Sequence, residues 1–129
     1  MAHYCDAAPQ IEAQGAKVVI IGNGSVEALG KFAGRYSDAV QFFTDPQRDA
    51  YDALGMLYGM GGLNSLKMLG TGIRAHRAGF RQGRTEGHPL QQGGVFLFRT
   101  GGDLIFAHRD ATAGDHLPPD RILDLLAQL

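Results

Sequence analysis

The stretch Val18-Val19-Ile20-Ile21-Gly22-Asn23-Gly24 sets four apolar β-forming residues against a Gly-Asn-Gly corner. Nothing in it alternates, so both faces are apolar, the pattern of a parallel strand sandwiched between helices. Upstream, residues 2–14 place Tyr4, Ala8 and Ile11, with Ala7, on one face at three- and four-residue spacing, which predicts a helix. Pro9 should kink that helix or end its first half, because it lacks a donor and crowds the preceding turn. Gly15 is placed to end it. Downstream, Ser25 is an N-cap for "VEALGKFAGRY", whose Val26, Leu29, Phe32 and Ala33 form one stripe.

"AVQFFTD" then reads as a short strand, and Asp45 with Pro46 in the first helical position starts a third helix, Tyr51 and Leu54 facing inward. The glycine-rich middle, residues 55–92, holds at most a short helix. "GGVFLFRT", the turn "GGD" and "LIFAHRD" predict a hairpin. Pro118 and Pro119 open a last helix that buries Ile122, Leu123, Leu125 and Leu126. The order αβαβα–loop–ββα is that of an α/β protein with a right-handed parallel crossover.

A chain of 129 residues with 44% hydrophobic and 19% charged residues predicts one globular domain, residues 1–129, neither disordered nor membrane-spanning. The opening "MAHYCDAAPQIEAQ" has neither the basic region nor the apolar core of a secretory signal. A net charge of −1 argues against nucleic acid as a partner. The lone cysteine, Cys5, precludes an internal disulfide and suits a reducing, cytoplasmic setting.

"VVIIGNGS", "FFTDPQRDAYDALGM", "QQGGVFLF" and "LIFAHRDATAGDHLPPDRIL", in this order, resemble the AhpC/TSA peroxiredoxin-like family. The branch they are most similar to carries a Cys-x-x-Cys active site. The resemblance runs from about residue 1 to 129. It implies a thioredoxin-like three-layer α/β/α sandwich and thiol-dependent reduction of hydroperoxides, with a thiol reductant as partner and no metal or organic cofactor. In that family a strand runs into the cysteine motif, whose helix leads to the strand matched by "VVIIG". Free amides and the positive dipole at such a helix start lower a thiol's pKa and make it nucleophilic. The resemblance also marks Arg109 as a candidate active-site cation, since a guanidinium can stabilise a thiolate or polarise a peroxide oxygen. An ion pair of Arg109 with Asp110 or Asp115 is the plainer alternative.

Register speaks against Cys5 as the reacting thiol. A helix that crosses the sheet and returns puts roughly twenty residues between cysteine and strand; Cys5 lies thirteen before Val18. Neither Cys-x-x-Cys nor Pro-x-x-x-Thr-x-x-Cys occurs. The expectation is therefore a family fold without its first, central strand, and a Cys5 that is buried and inert within a helix. The strands "VVIIG" and "GGVFLF", which would flank that central strand, should then pair directly or be closed by a homodimer. On this reading the chain is a peroxiredoxin-like redox protein with little peroxidase activity. The alternatives are a non-catalytic thioredoxin-fold binding or assembly module, and a one-cysteine peroxidase using Cys5.

Three other features invite a site. The stretch Ala53–Thr85 contains no carboxylate but carries Lys67, Arg74, His76, Arg77, Arg81 and Arg84. If helical, Arg74, Arg77, Arg81 and Arg84 gather on one side as an anion site; otherwise they form a solvated face. His88, His108, His116 and Asp115 lack the spacing of a metal motif, and no metal is expected. "GNGS" lacks the remaining residues of a phosphate-binding loop and reads as a capping corner.

Overall fold

The computed structural model describes residues 1–36, 38–58 and 90–129. Its elements are α1 (Ala2–Ala13), β1 (Val18–Gly22), α2 (Val26–Ala33), β2 (Val40–Thr44), α3 (Asp49–Ala53), β3 (Gly94–Phe98), β4 (Leu104–Arg109) and α4 (Pro119–Ala127). This is the expected αβαβα then ββα order, a thioredoxin-like α/β fold. No helix among the described residues is long and apolar enough to cross a membrane.

β1 and β2 are parallel, in register from Val18 opposite Val40 to Gly22 opposite Thr44. α2 makes the crossover between them, and Ser25 Oγ accepts from the Ala28 amide at its start (3.2 Å). β3 and β4 form the expected hairpin, from Gly94 opposite Arg109 to an irregularity at Leu97/Phe98. Gly101 and Gly102 turn it with φ of 111° and 102°, left-handed values that a side chain would resist.

The core lies between α1 and the β1–β2 ladder. Cys5, Ala8 and Ile11 of α1 meet Val18, Ile20 and Val40, with Phe32, Phe42, Leu123 and Leu126 packed around them. Tyr4 ties α1 to the approach to α4, donating its hydroxyl to the Leu117 carbonyl (3.0 Å).

Five expectations change. α1 runs through Pro9 to Ala13 without ending there. The amide that Pro9 lacks would have bonded the Cys5 carbonyl, a single lost rung that the packed face on both sides of it outweighs. α2 stops at Ala33, before Gly34 and short of Tyr36, which reaches the core from the loop. Pro46 is not the first residue of α3: a turn intervenes, Arg48 is left-handed (φ 65°), and the helix starts at Asp49. Asp45 still caps it, accepting from the Asp49 and Ala50 amides (3.0 and 2.8 Å). The apolar run of β1 is packed on one face only among the described residues: Val18 and Ile20 are buried, while Val19 (49% exposed) and Ile21 (39%) point the other way. Finally, of the two arrangements expected for β1 and β3, direct pairing is not formed: among the described residues each ladder has two strands, β1 with β2 and β3 with β4. The Tyr51 hydroxyl bonds the Ile21 carbonyl (2.7 Å), whereas the next carbonyl, Gly22, accepts from Asp45 beyond β2 (2.7 Å). Successive carbonyls of a strand point to opposite sides, so Tyr51 occupies the edge of β1 that faces away from β2.

Candidate functional site

Cys5 is the fourth residue of α1, one turn from its amino end. Its amide bonds the Met1 carbonyl (3.3 Å), as a helical amide does. The side chain lies on the face shared by Ala8 and Ile11 and is 4% exposed. Burial raises the thiol pKa above its ordinary value, and the neighbouring Asp6 carboxylate adds to the rise. The positive amino terminus and, more weakly, the residue's own amide act in the opposite direction but do not offset this. Depth along the helix is thus less decisive than the side of it: the sulfur faces apolar core, where neither a thiolate nor a hydroperoxide is solvated.

Arg109 ends β4 and points away from its neighbours His108 and Asp110, as strand alternation requires. Its Nε donates to the Leu54 carbonyl (2.6 Å) and its guanidinium lies 5.3 Å from the Phe96 ring centre. Among the described residues no carboxylate pairs with it, so the plainer reading, a bridge to Asp110 or Asp115, is not formed. The guanidinium is exposed and leaves its terminal nitrogens free of protein hydrogen bonds among those residues. It can accept an anion there, but it is fixed to the 54–55 turn rather than to α1.

The carboxylates offered as partners for Arg109 instead gather histidines. Asp110 is 4% exposed, its amide bonding the Gly93 carbonyl (3.0 Å). Its Oδ2 lies 3.1 Å from His116 Nδ1, and since a carboxylate only accepts, the imidazole proton is on that nitrogen. Oδ1 has no hydrogen bond and faces His108 Nε2 at 3.4 Å. His108 Nε2 is also 3.6 Å from Asp115 Oδ1, while Asp115 Oδ2 accepts from the Ala111 amide (3.0 Å). Close by, Tyr4 has its hydroxyl pKa pushed up to about 12, by burial first and by the Asp110 charge second. The cluster joins the start of α1, the end of β4 and the approach to α4. Gly93 admits it: a Cβ there would stand 3.0 Å from Asp110 Oδ2. Among the described residues, no group of three or more His, Cys, Asp or Glu is disposed to hold a metal ion.

The sequence grouped His108, His116 and Asp115 and offered Asp110 only as a partner for Arg109, not as the residue that joins the two histidines. The available signal was the period of a strand, which puts residues 108 and 110 on one side and 109 on the other. Lys67, Arg74, His76, Arg77, Arg81, Arg84 and His88 lie outside the described residues, and so does the proposed anion site. "GNGS" forms the capping corner before α2.

A family model described as "AhpC/TSA antioxidant enzyme" matches residues 5–112. Among curated proteins, the chain is similar to "Peroxiredoxin-like 2C" of Mus musculus, 27% identical over 126 residues, covering 84% of this chain and 52% of that protein. The Homo sapiens protein of the same name matches to the same extent. "Thioredoxin-like protein AAED1, chloroplastic" of Arabidopsis thaliana is 26% identical over 131 residues, covering 95% of this chain and 53% of that protein. The chain therefore spans about half the length of the curated relatives it matches. No solved structure matches it.

Proposed function

Since the chain belongs to the AhpC/TSA antioxidant enzyme family, we propose that it is a peroxiredoxin-like redox protein in which Cys5 is not the reacting thiol. The parent reaction is thiol-dependent hydroperoxide reduction. A thiolate attacks the distal peroxide oxygen, an S–O bond forms as the O–O bond breaks, and the alkoxide or hydroxide leaves with a proton. A second thiol then resolves the sulfenic acid and releases water. The first step needs a thiolate that a peroxide can reach, and the second a further thiol that can reach the sulfenic acid. The observation that carries the reading is the position of Cys5, 4% exposed against Ala8, Ile11, Val18, Ile20 and Val40. Its raised pKa keeps it protonated at neutral pH. As the sequence contains one cysteine, no other side chain of it offers a thiolate. On this reading the 129-residue chain does not itself turn over hydroperoxides, and its thioredoxin-like fold serves as a binding or assembly unit. A lone protonated thiol suits a reducing compartment such as the cytoplasm, although one relative is named as chloroplastic.

The test is hydrogen-peroxide and alkyl-hydroperoxide consumption with a dithiol reductant, comparing the chain with Cys5→Ser. Equal background rates in the two proteins are expected. Turnover by the parent chain that disappears in Cys5→Ser would reject the reading and make Cys5 a one-cysteine peroxidase.

A further inference from the structure

The corner between β1 and α2 holds Asn23 followed by Gly24, a dipeptide in which the asparagine side chain is open to attack by the next backbone amide. Glycine leaves that nitrogen uncrowded, because it has no side chain. Three observations place the pair outside the hold of the fold. The β1–β2 ladder ends with Gly22 opposite Thr44 and the cap of α2 is Ser25, so residues 23 and 24 belong to neither element. A strand or a helix would fix the Asn23 backbone and keep the Gly24 nitrogen away from Asn23 Cγ; a bend between them does not. Among the described residues the Gly24 amide donates to no carbonyl or side chain, whereas Ala28 and Leu29 in the first turn of α2 donate to Ser25 Oγ and to the Ser25 carbonyl. Both residues of the pair are only half-buried, so water reaches them.

We propose that Asn23 is a site of spontaneous deamidation in the folded chain. The Gly24 nitrogen gives its proton to a solvent base and attacks Asn23 Cγ. A C–N bond forms, the side-chain nitrogen takes a proton from water and leaves as ammonia, and a five-membered succinimide remains. Water then opens the ring at one carbonyl or the other, giving aspartate or isoaspartate; nothing is oxidised or reduced. Either product adds a carboxylate and makes the net charge of −1 one unit more negative. The aspartate sits close to the amino end of α2, where the helix dipole favours a negative charge. Isoaspartate instead inserts a carbon into the main chain between two fixed points. One is the Gly22 carbonyl, which accepts from the Asp45 amide (2.7 Å), and the other is the Ser25 cap. Asn23 is thus a slow, irreversible modification site at the crossover from β1 to α2. No step involves Cys5.

The test incubates the 129-residue chain at pH 8 and 37 °C, folded in buffer and unfolded in guanidinium, and follows the tryptic peptide 18–31 by mass spectrometry. Gly24→Ala is the comparison; Gly24 does not have a positive φ, so alanine fits its backbone, and circular dichroism checks that the variant folds. A segment held by the fold reacts only as often as it opens. The expected result is a gain of about one dalton at Asn23, as aspartate and isoaspartate together, with the folded rate within about tenfold of the unfolded one. Gly24→Ala should slow it at least tenfold in both states. A folded rate more than tenfold below the unfolded rate overturns the inference and shows that the fold locks the corner. An Asn23 that stays intact, or equal rates with and without Gly24, overturns it equally.

Discussion

The reactivity of Cys5 follows from its burial and can be worked out in magnitude. A thiol reagent attacks the thiolate, and an ordinary thiol of pKa about 8.5 is roughly 3% ionised at pH 7. In the folded chain Cys5 is ionised less than that, since burial raises its pKa. The reagent must also reach it, which requires the face of α1 carrying Cys5, Ala8 and Ile11 (4, 0 and 3% exposed) to leave the core. Re-exposing one isoleucine with two small neighbours costs about 3 kcal/mol, or about two factors of ten in the population open to reaction. The folded protein should therefore be labelled at pH 7 about a hundredfold more slowly than the chain unfolded in guanidinium. Its rate should keep climbing with pH, without a plateau below the ordinary thiol range. The assay is stopped-flow labelling with a chromogenic disulfide from pH 6 to 9, in native buffer and in denaturant. Native labelling within tenfold of the unfolded rate, or a plateau below pH 7, would refute the reasoning and restore Cys5 as a candidate nucleophile.

The buried phenols give the chain an alkaline limit. Tyr4 has a folded pKa of about 12 against an ordinary value near 10, and Tyr51 is raised too, by burial and by Asp45. The unfolded chain ionises first, so this stability is full below about pH 10 and is lost as pH rises toward 12, which urea midpoints at pH 8, 10 and 11 should show. Tyr51→Phe strips the Ile21 carbonyl of its hydroxyl partner and should lower stability by about 1–2 kcal/mol in the same urea titration. Asp110→Ala removes the carboxylate that joins His108 and His116 and should cost about 2–3 kcal/mol; a loss below about 0.5 kcal/mol would show the cluster to be a surface arrangement. Gly94→Ala puts a Cβ 2.7 Å from the His108 carbonyl and 2.9 Å from the Phe96 ring, so β3 must shift, at a cost of about 1–3 kcal/mol read as a lower Tm.

What the sequence by itself determined is the local structure and its order. A run of four β-forming residues, a serine and an aspartate before helical stripes, two glycines between alternating strands and a proline pair before leucines each act within a few residues, so they can be read one after another. The core face of α1 was legible for the same reason, since Ala8 and Ile11 recur with the helical period and the structure adds Cys5 to the same face. The tertiary structure decided everything that depends on what faces what. The run at residues 18–21 cannot say which of its two apolar faces is packed, and only the ladder shows Val18 and Ile20 inward with Val19 and Ile21 outward. Pro9 reads as a breaker, but a helix held by its packed face keeps going past one missing hydrogen bond. Arg109 beside Asp110 looks like an ion pair in sequence, yet adjacent strand residues point to opposite sides. One therefore meets the Leu54 carbonyl and the other a histidine six residues farther along the chain. For Cys5 the sequence already placed a buried thiol on a helix, and the fold shows what buries it, the face of α1 packed against Val18, Ile20 and Val40.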